Sequence, residues 1–155
     1  MKKVALIVAG GKGERMNADI PKQFLLLNNL PILMHTIKQF SHFEEIVLVL
    51  PKSQFDYWNG LCKNNNFTQI HILVEGGETR FHSVKNGLDK IDNTSVVAIH
   101  DGVRPLISTA LINNLVGEAK SGIGVIPIIP VKNSIRKIEG ENSVHIDRSN
   151  LYKVQ

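Results

Sequence analysis

Arg15 and Lys22 put two permanent cations beside a glycine-rich stretch, Ala9-Gly10-Gly11-Lys12-Gly13-Glu14-Arg15-Met16, which continues into Pro21-Lys22-Gln23. Gly10, Gly11 and Gly13 free the backbone from Cβ constraints, so consecutive N–H groups can turn toward one anion. The chemistry this suits is the binding of a polyphosphate. The alternative is a plain strand-to-helix turn with incidental basic residues. Two better-known glycine loops do not fit. No Gly-Lys pair is followed by Ser or Thr, as a Walker A loop requires. Gly11-Lys12-Gly13-Glu14-Arg15-Met16 begins like a dinucleotide fingerprint, but Met16 stands at the third glycine and Pro21 interrupts the helix.

Two further clusters carry groups that could act on an anionic ligand. In His100-Asp101-Gly102-Val103-Arg104-Pro105, Asp101 offers hard oxygen to Mg²⁺, which usually arrives with substrate phosphates. Its alternative is a turn or capping aspartate. Arg104 can hold a phosphate bidentately, or can be a surface ion pair of little weight. In Gly76-Gly77-Glu78-Thr79-Arg80, the glycines permit close approach of a planar base, and Glu78 and Ser83 can hydrogen-bond ribose or base. Arg80 is read as a structural tie between this loop and its neighbour. An anionic attacking oxygen has no proton to lose, so His82 and His100 are read as orienting or structural residues.

These clusters need elements to hold them. The apolar run Val4–Val8 reads as a buried strand, and Leu33, Ile37 and Phe40 mark a helix entered at Pro31. Ile46–Leu50 is a second strand. Ser53-Gln54-Phe55-Asp56 resembles a capping box before a helix whose inner face is Phe55, Trp58, Leu61 and Cys62. A strand at Ile70–Val74 and a helix with Val84, Leu88 and Ile91 inward follow. Val96–Ile99 is a fourth strand, Ser108 or Thr109 caps a helix with Leu111, Ile112, Leu115 and Val116, and Ile123–Val131 supplies one more strand. Such alternation implies an α/β fold with a mainly parallel sheet. Ligands of these folds sit beyond the carboxyl ends of the strands, so residues 9–22, 76–83 and 100–105 should share one rim. From Asn133 the pattern changes to a β-hairpin around Glu139-Gly140-Glu141-Asn142, too poor in large apolar residues to bury against its own domain.

Composition narrows the class. The 155 residues are 43% hydrophobic and 21% charged, with net charge +4. Lys2-Lys3 is the only adjacent basic pair before an apolar run, and there is no basic stripe with aromatics, which argues against nucleic acid and leaves an anionic small molecule. Cys62 is alone, so no disulfide framework or thiolate zinc cluster forms; it is expected to be a small buried hydrophobe. The run after Lys3 is too short for a signal peptide, and Gly122–Val131, interrupted by Pro127 and Pro130, is too short for a membrane span. The expectation is a soluble, cytoplasmic protein with no membrane partner.

The three blocks in this order, with Phe24, Ser83-Val84 and Gly87-Leu88 beside them, resemble the 2-C-methyl-D-erythritol 4-phosphate cytidylyltransferase family. The resemblance implies a Rossmann-like sheet flanked by helices, of the nucleotide-diphospho-sugar transferase type, with a projecting β-hairpin arm. It also implies transfer of CMP from CTP to a methylerythritol phosphate, with release of pyrophosphate, in non-mevalonate isoprenoid precursor synthesis. Arg15 and Lys22 then fall on the cations that stabilise charge at the α-phosphate, and Asp101 on the Mg²⁺ ligand. Ala9, Gly10, Gly11, Gly13, Gly77, Glu78, Ser83 and Gly102 fall on positions that hold CTP, and Arg104 on the sugar-phosphate side. The arm, residues 133–149, completes the partner's site in a homodimer through Ser134 and Arg148. Asn133-Ser134 replaces the family's usual Asp-Thr, and Gly10 and Gly102 stand where alanine is common. Residues 1–155 are expected to be one domain, C-terminally incomplete, because a further lysine and metal-binding carboxylate of the family are absent. A ribitol-5-phosphate cytidylyltransferase and a non-catalytic nucleotide-binding or dimerisation module are the alternatives.

Overall fold

The structure, a computed structural model, describes residues 1–10 and 20–154. By its internal contacts the chain divides into two compact units, Met1–Val116 and a second beginning at Gly117.

The first unit is built on a four-stranded parallel sheet. Its strands are β1 (Lys3–Val8), β4 (Glu45–Leu50), β5 (Ile72–Glu75) and β6 (Val96–Asp101), in the order β5-β4-β1-β6. The two central strands read as continuous apolar runs because both their faces are covered. On one face Ala5, Ile7, Ile46, Leu48 and Leu50 meet Leu33, Met34 and Ile37 of α1 (Ile32–Gln39), Trp58 of α2 (Phe55–Asn64) and Ile112 of α4 (Thr109–Glu118). On the other, Val4, Leu6, Val8, Val47 and Val49 form a second cluster with Val74, against which Val84 of α3 (Arg80–Leu88) packs. Each such side chain, fully buried, contributes roughly 1.5–3 kcal/mol. A short hairpin, β2 (Leu26–Leu27) and β3 (Leu30–Pro31), precedes α1, with Asn28 and Asn29 at φ 50° and 62°. Two consecutive positive φ values make the twist that a two-residue hairpin needs, and asparagine tolerates them best after glycine.

Several boundaries differ from expectation, each for a local reason. Ser53 does not open a capping box: it lies in a 3₁₀ turn, Lys52–Gln54, and α2 starts at Phe55 without a side-chain cap. Pro51 sets that turn, since the Gln54 N–H donates to its carbonyl at 2.9 Å. Pro31 stands one residue ahead of α1, at its cap. Ile70 lies outside β5 and is 86% exposed. On α3 the inward residues are Ser83, Val84 and Gly87, while Leu88 is exposed. Gly87 is the reason: a Cβ there would come 2.3 Å from Leu6 Cδ1, so the helix touches the sheet through its glycine and turns Leu88 outward. Ile91 lies beyond the helix yet packs on the same cluster. Ser108 does cap α4, accepting from the Leu111 N–H at 3.2 Å, but Leu111 is exposed. Cys62 is half-buried rather than buried, and burial pushes its thiol up to about 11.

In the second unit, the run Ile123–Val131 gives only β7 (Ile128–Pro130), which pairs antiparallel with β10 (Tyr152–Val154) instead of joining the parallel sheet. Prolines at 127 and 130 remove ladder donors and confine such a segment to a short edge pairing. β8 (Ile135–Glu139) and β9 (Asn142–Ile146) form the expected hairpin, closed by Gly140 at φ 63°. Among the described residues no helix is long and apolar enough to cross a membrane.

Trp58 ties the α2 side of the core to β5 through a histidine of fixed tautomer. Its indole N–H donates to His71 Nε2 at 2.8 Å, so that nitrogen must be the acceptor, and Nδ1–H donates to the Gln69 carbonyl at 2.8 Å. Burial lowers the His71 pKa below its ordinary 6.5, outweighing the opposite pull of the Gln69 carbonyl. The unfolded chain therefore takes up this proton first as pH falls. The stability from neutral His71 is complete above about 6.5 and is lost as pH falls from there through the lowered native value. Denaturant midpoints between pH 7.5 and 5.5 should accordingly fall more for the wild type than for His71→Gln; parallel profiles would remove His71 as the source.

Candidate active site

The carboxyl ends of the parallel strands are laced into one rim by backbone bonds. The Ala9 N–H donates to Val49 O, Gly76 N–H to Leu50 O and Gly102 N–H to Val8 O, each at 2.9 Å. Ala9, Gly76 and Gly102, the first residues after β1, β5 and β6, are thereby held at one rim, as expected for these three positions; residues 11–19 of the first segment lie outside the described residues. At Gly10 an added Cβ would rest 3.5 Å from Ser83 Oγ, an ordinary contact that leaves room for alanine. Gly102 is different: a Cβ there would lie 2.8 Å from the Ala9 Cβ and 2.9 Å from Leu33 Cδ1. In this chain the first and last loops touch through that glycine, and alanine would need a shift.

The loop after β5 is held by α3. Ser83 is 3% exposed, and its hydroxyl accepts from the Gly77 N–H at 3.0 Å. A Cβ on Gly77 would fall 2.3 Å from the His82 Cβ, so the space this glycine leaves is filled by the first turn of α3. Thr79 caps that turn through the His82 N–H at 3.3 Å, and His82 Nδ1 lies 3.0 Å from Thr79 Oγ1. Glu78 is exposed at the tip. His100 is held by Arg104 O at 2.9 Å and packs on the Phe40 ring. Both histidines are thus held by contacts within their own loops and, for His100, with Phe40 at the end of α1.

Asp101, the last residue of β6, gathers two arginines. Oδ1 accepts from Arg80 Nη2 at 3.0 Å, and Oδ2 from Arg104 Nε at 2.9 Å. Partial burial pushes this carboxyl upward, but the Arg80 hydrogen bond and the charges of Arg80 and Arg104 outweigh it and hold the group below its ordinary value. The carboxylate is thus ionised at neutral pH and fixed between two loops. Arg80 makes the tie that its position suggests, and the ion pair left open for Arg104 exists. A phosphate-binding role for Arg104 does not conflict with it, because a guanidinium has five N–H donors.

Ala9 and Gly10 just after β1, a serine-pinned loop after β5 and an aspartate flanked by arginines thus meet at one sheet rim. The family model for 2-C-methyl-D-erythritol 4-phosphate cytidylyltransferase matches residues 3–155. The chain belongs to this family. A cytidylyltransferase of that description from Azobacteroides pseudotrichonymphae is 48% identical over 157 residues, covering 99% of this chain and 71% of the relative. One from Porphyromonas gingivalis is 47% identical, with 99% and 70% covered. Among solved structures, the Francisella tularensis cytidylyltransferase is 30% identical at a TM-score of 0.75, covering 100% of this chain and 70% of that one. The 4-diphosphocytidyl-2C-methyl-D-erythritol synthase of Anaerococcus prevotii gives a TM-score of 0.79 at 26% identity, with 99% and 67% covered.

For a cytidylyltransferase-family site, two buried polar residues matter that the sequence reading left without a role. Thr36, fully buried on α1, donates to the Gly102 carbonyl at 2.8 Å and so fixes the loop after β6. A hydroxyl amid the apolar face of Leu33, Ile37 and Phe40 was its signal. Gln23, 1% exposed, donates to the Ala9 carbonyl at 3.0 Å and to Gln54 Oε1 at 2.8 Å. Lys22 is half-buried in the same 3₁₀ turn, Lys22–Phe24. Gly11, Gly13 and Arg15 lie outside the described residues. Ser134 immediately precedes β8, and Arg148 follows β9 by two residues, both in the second unit.

Proposed function

We propose that this chain transfers CMP from CTP to 2-C-methyl-D-erythritol 4-phosphate and releases pyrophosphate, in the cytoplasm, as a step of non-mevalonate isoprenoid precursor synthesis. Family membership along residues 3–155 carries this reading, and the common rim of three loops supports it. An ionised phosphate oxygen of the sugar phosphate attacks the α-phosphorus of CTP in line. The new P–O bond forms as the bond to the β-phosphate oxygen breaks, and that electron pair leaves with pyrophosphate. No proton need be removed, so rate comes from positioning and from charge stabilisation. Arg15 and Lys22 are assigned to the α-phosphate. Ala9, Gly10, Gly11, Gly13 and Gly102 are assigned to CTP, and Gly77 and Glu78 to its cytidine. Ser83 acts there by pinning Gly77, and Arg104 serves the sugar phosphate.

A divalent cation, Mg²⁺, belongs with Asp101. The donor set fits a cation carried in by phosphates: among the described residues no group of three His, Cys, Asp or Glu could form a protein cage. The Asp101 carboxylate is ionised, and its oxygens have more acceptor sites than the two arginines use. When bound, the cation would neutralise triphosphate charge. Asp101→Asn should raise the Mg²⁺ concentration for half-maximal activity about tenfold or more, since an amide is a poor ligand for a hard cation. An unchanged titration in a folded variant would leave Asp101 only its arginines.

The assembly is read as a homodimer in which Ser134 and Arg148 serve the partner's sugar phosphate. The hairpin's apolar residues Ile138 and Val144 are 71% and 41% exposed, and an isolated two-stranded hairpin is marginal in water. Mixing inactive Arg148→Ala chains with inactive Lys22→Ala chains should restore up to about a quarter of wild-type activity, because random pairing gives half mixed dimers with one intact site each. Mixed dimers shown by differential tagging but without activity would place Arg148 within its own chain's site, or in none. The reaction itself is tested by pyrophosphate release from CTP with methylerythritol phosphate and, in parallel, ribitol 5-phosphate. Release with the first supports the proposal, release only with the second exchanges the substrate, and binding of CTP without release marks a non-catalytic module.

A further inference from the structure

Gln23 is a buried amide where an apolar side chain would cost less. Its turn already has an apolar anchor: Phe24 is 3% exposed and lies 5.1 Å from the Tyr57 ring and 6.2 Å from Trp58. Burying a carboxamide is unfavourable unless its hydrogen bonds are made. Here both N–H groups have acceptors, the Ala9 carbonyl at 3.0 Å and Gln54 Oε1 at 2.8 Å. A backbone carbonyl only accepts, so the amide orientation is forced. The two partners belong to different strand ends. Ala9 is the first residue after β1, where the glycine-rich loop starts, and Gln54 ends the 3₁₀ turn after β4. The third point of this triangle is Lys22, the neighbour of Gln23 in a turn closed by Phe24 N–H to Pro21 O at 2.9 Å.

We propose that Gln23 is a positioning residue for the reaction: its amide locks the Lys22 turn to the entry of the nucleotide loop. The inference rests on the role given above to Lys22. Packing of Phe24 fixes how deep the turn lies, but packing is tolerant of sliding. Two directional bonds to separate strand ends fix where along the rim the Lys22 backbone stands. Without them the ammonium would still be present, though displaced from the charge that develops in the transition state.

The test is a double-mutant cycle between Gln23→Met, which keeps length and removes both donors, and Lys22→Ala. Gln23→Met alone should lower kcat by about 10–100-fold, the scale of a misplaced group, with the Kd for CTP changed much less. In the Lys22→Ala background the same substitution should change kcat by less than about twofold, because residues acting as a unit are not additive. A purely structural defect would instead multiply through both backgrounds, and that result overturns the proposal. So does a Gln23→Met enzyme with near-normal kcat. If Gln23→Met does not fold, as read by Trp58 fluorescence, Gln54→Ala takes its place in the cycle, with a several-fold loss expected on the same logic. A Lys22→Ala enzyme of normal activity would bring down the Lys22 reading itself, and this one with it. A defective Lys22→Ala enzyme without coupling would bring down the Gln23 role alone.

Discussion

Lys22→Ala is expected to lower turnover by roughly 10²–10³, comparable to the loss of one oxyanion-stabilising donor. The effect is electrostatic. Charge shifts onto the α-phosphate oxygens as the substrate's phosphate oxygen approaches, and a fixed cation in a half-buried turn stabilises that state more than the ground state. CTP binding should weaken much less, because the other groups assigned to the nucleotide remain. Single-turnover rates at saturating CTP separate the two effects. Turnover within a few-fold of wild type would show that Lys22 does not meet the developing charge.

Trp58→Ala should cost about 3–5 kcal/mol of folding stability, the range for emptying a large buried aromatic site. Trp58 is fully buried, stacks on Phe24 at 6.2 Å and 20°, and meets Phe67 edge-on at 5.9 Å. It also donates to His71, whose Nε2 would lose its partner. Domains have only about 5–15 kcal/mol in total, so the variant should unfold at far lower denaturant. The same cavity removes a wall of the Phe24 site and loosens the turn that carries Lys22. Activity should therefore fall even at temperatures where the variant is folded. A midpoint close to that of wild type would contradict the packing described here.

The comparison of sequence with structure has a physical pattern. Val4–Val8 and Ile46–Leu50 were legible because a strand covered on both faces has no choice but a continuous apolar run. That Ala9, Gly76 and Gly102 share a rim followed from topology alone, and their backbone bonds realise it. Periodicity failed at Leu88, since it counts apolar side chains and cannot see a helix docking through Gly87. It failed again at Ile123–Val131, where prolines outweigh hydrophobicity. The apparent capping box at Ser53 was overridden by Pro51, and Gln54 serves Gln23 instead of the helix. Thr36 and Gln23 were hardest to read. A buried polar residue is recognised by its partners, and those lie 66 and 14 positions away in the chain.

The central claim is that a phosphate oxygen of the acceptor displaces pyrophosphate from the α-phosphorus of CTP. Methylerythritol phosphate carrying ¹⁸O in its non-bridging phosphate oxygens, incubated with this chain, CTP and Mg²⁺, tests it directly by mass spectrometry and ³¹P NMR. The account predicts a cytidine diphosphate product that keeps every label, including one at the new bridging oxygen, and pyrophosphate with none. Label in the pyrophosphate, or binding of both substrates with no diphosphate product, would contradict it.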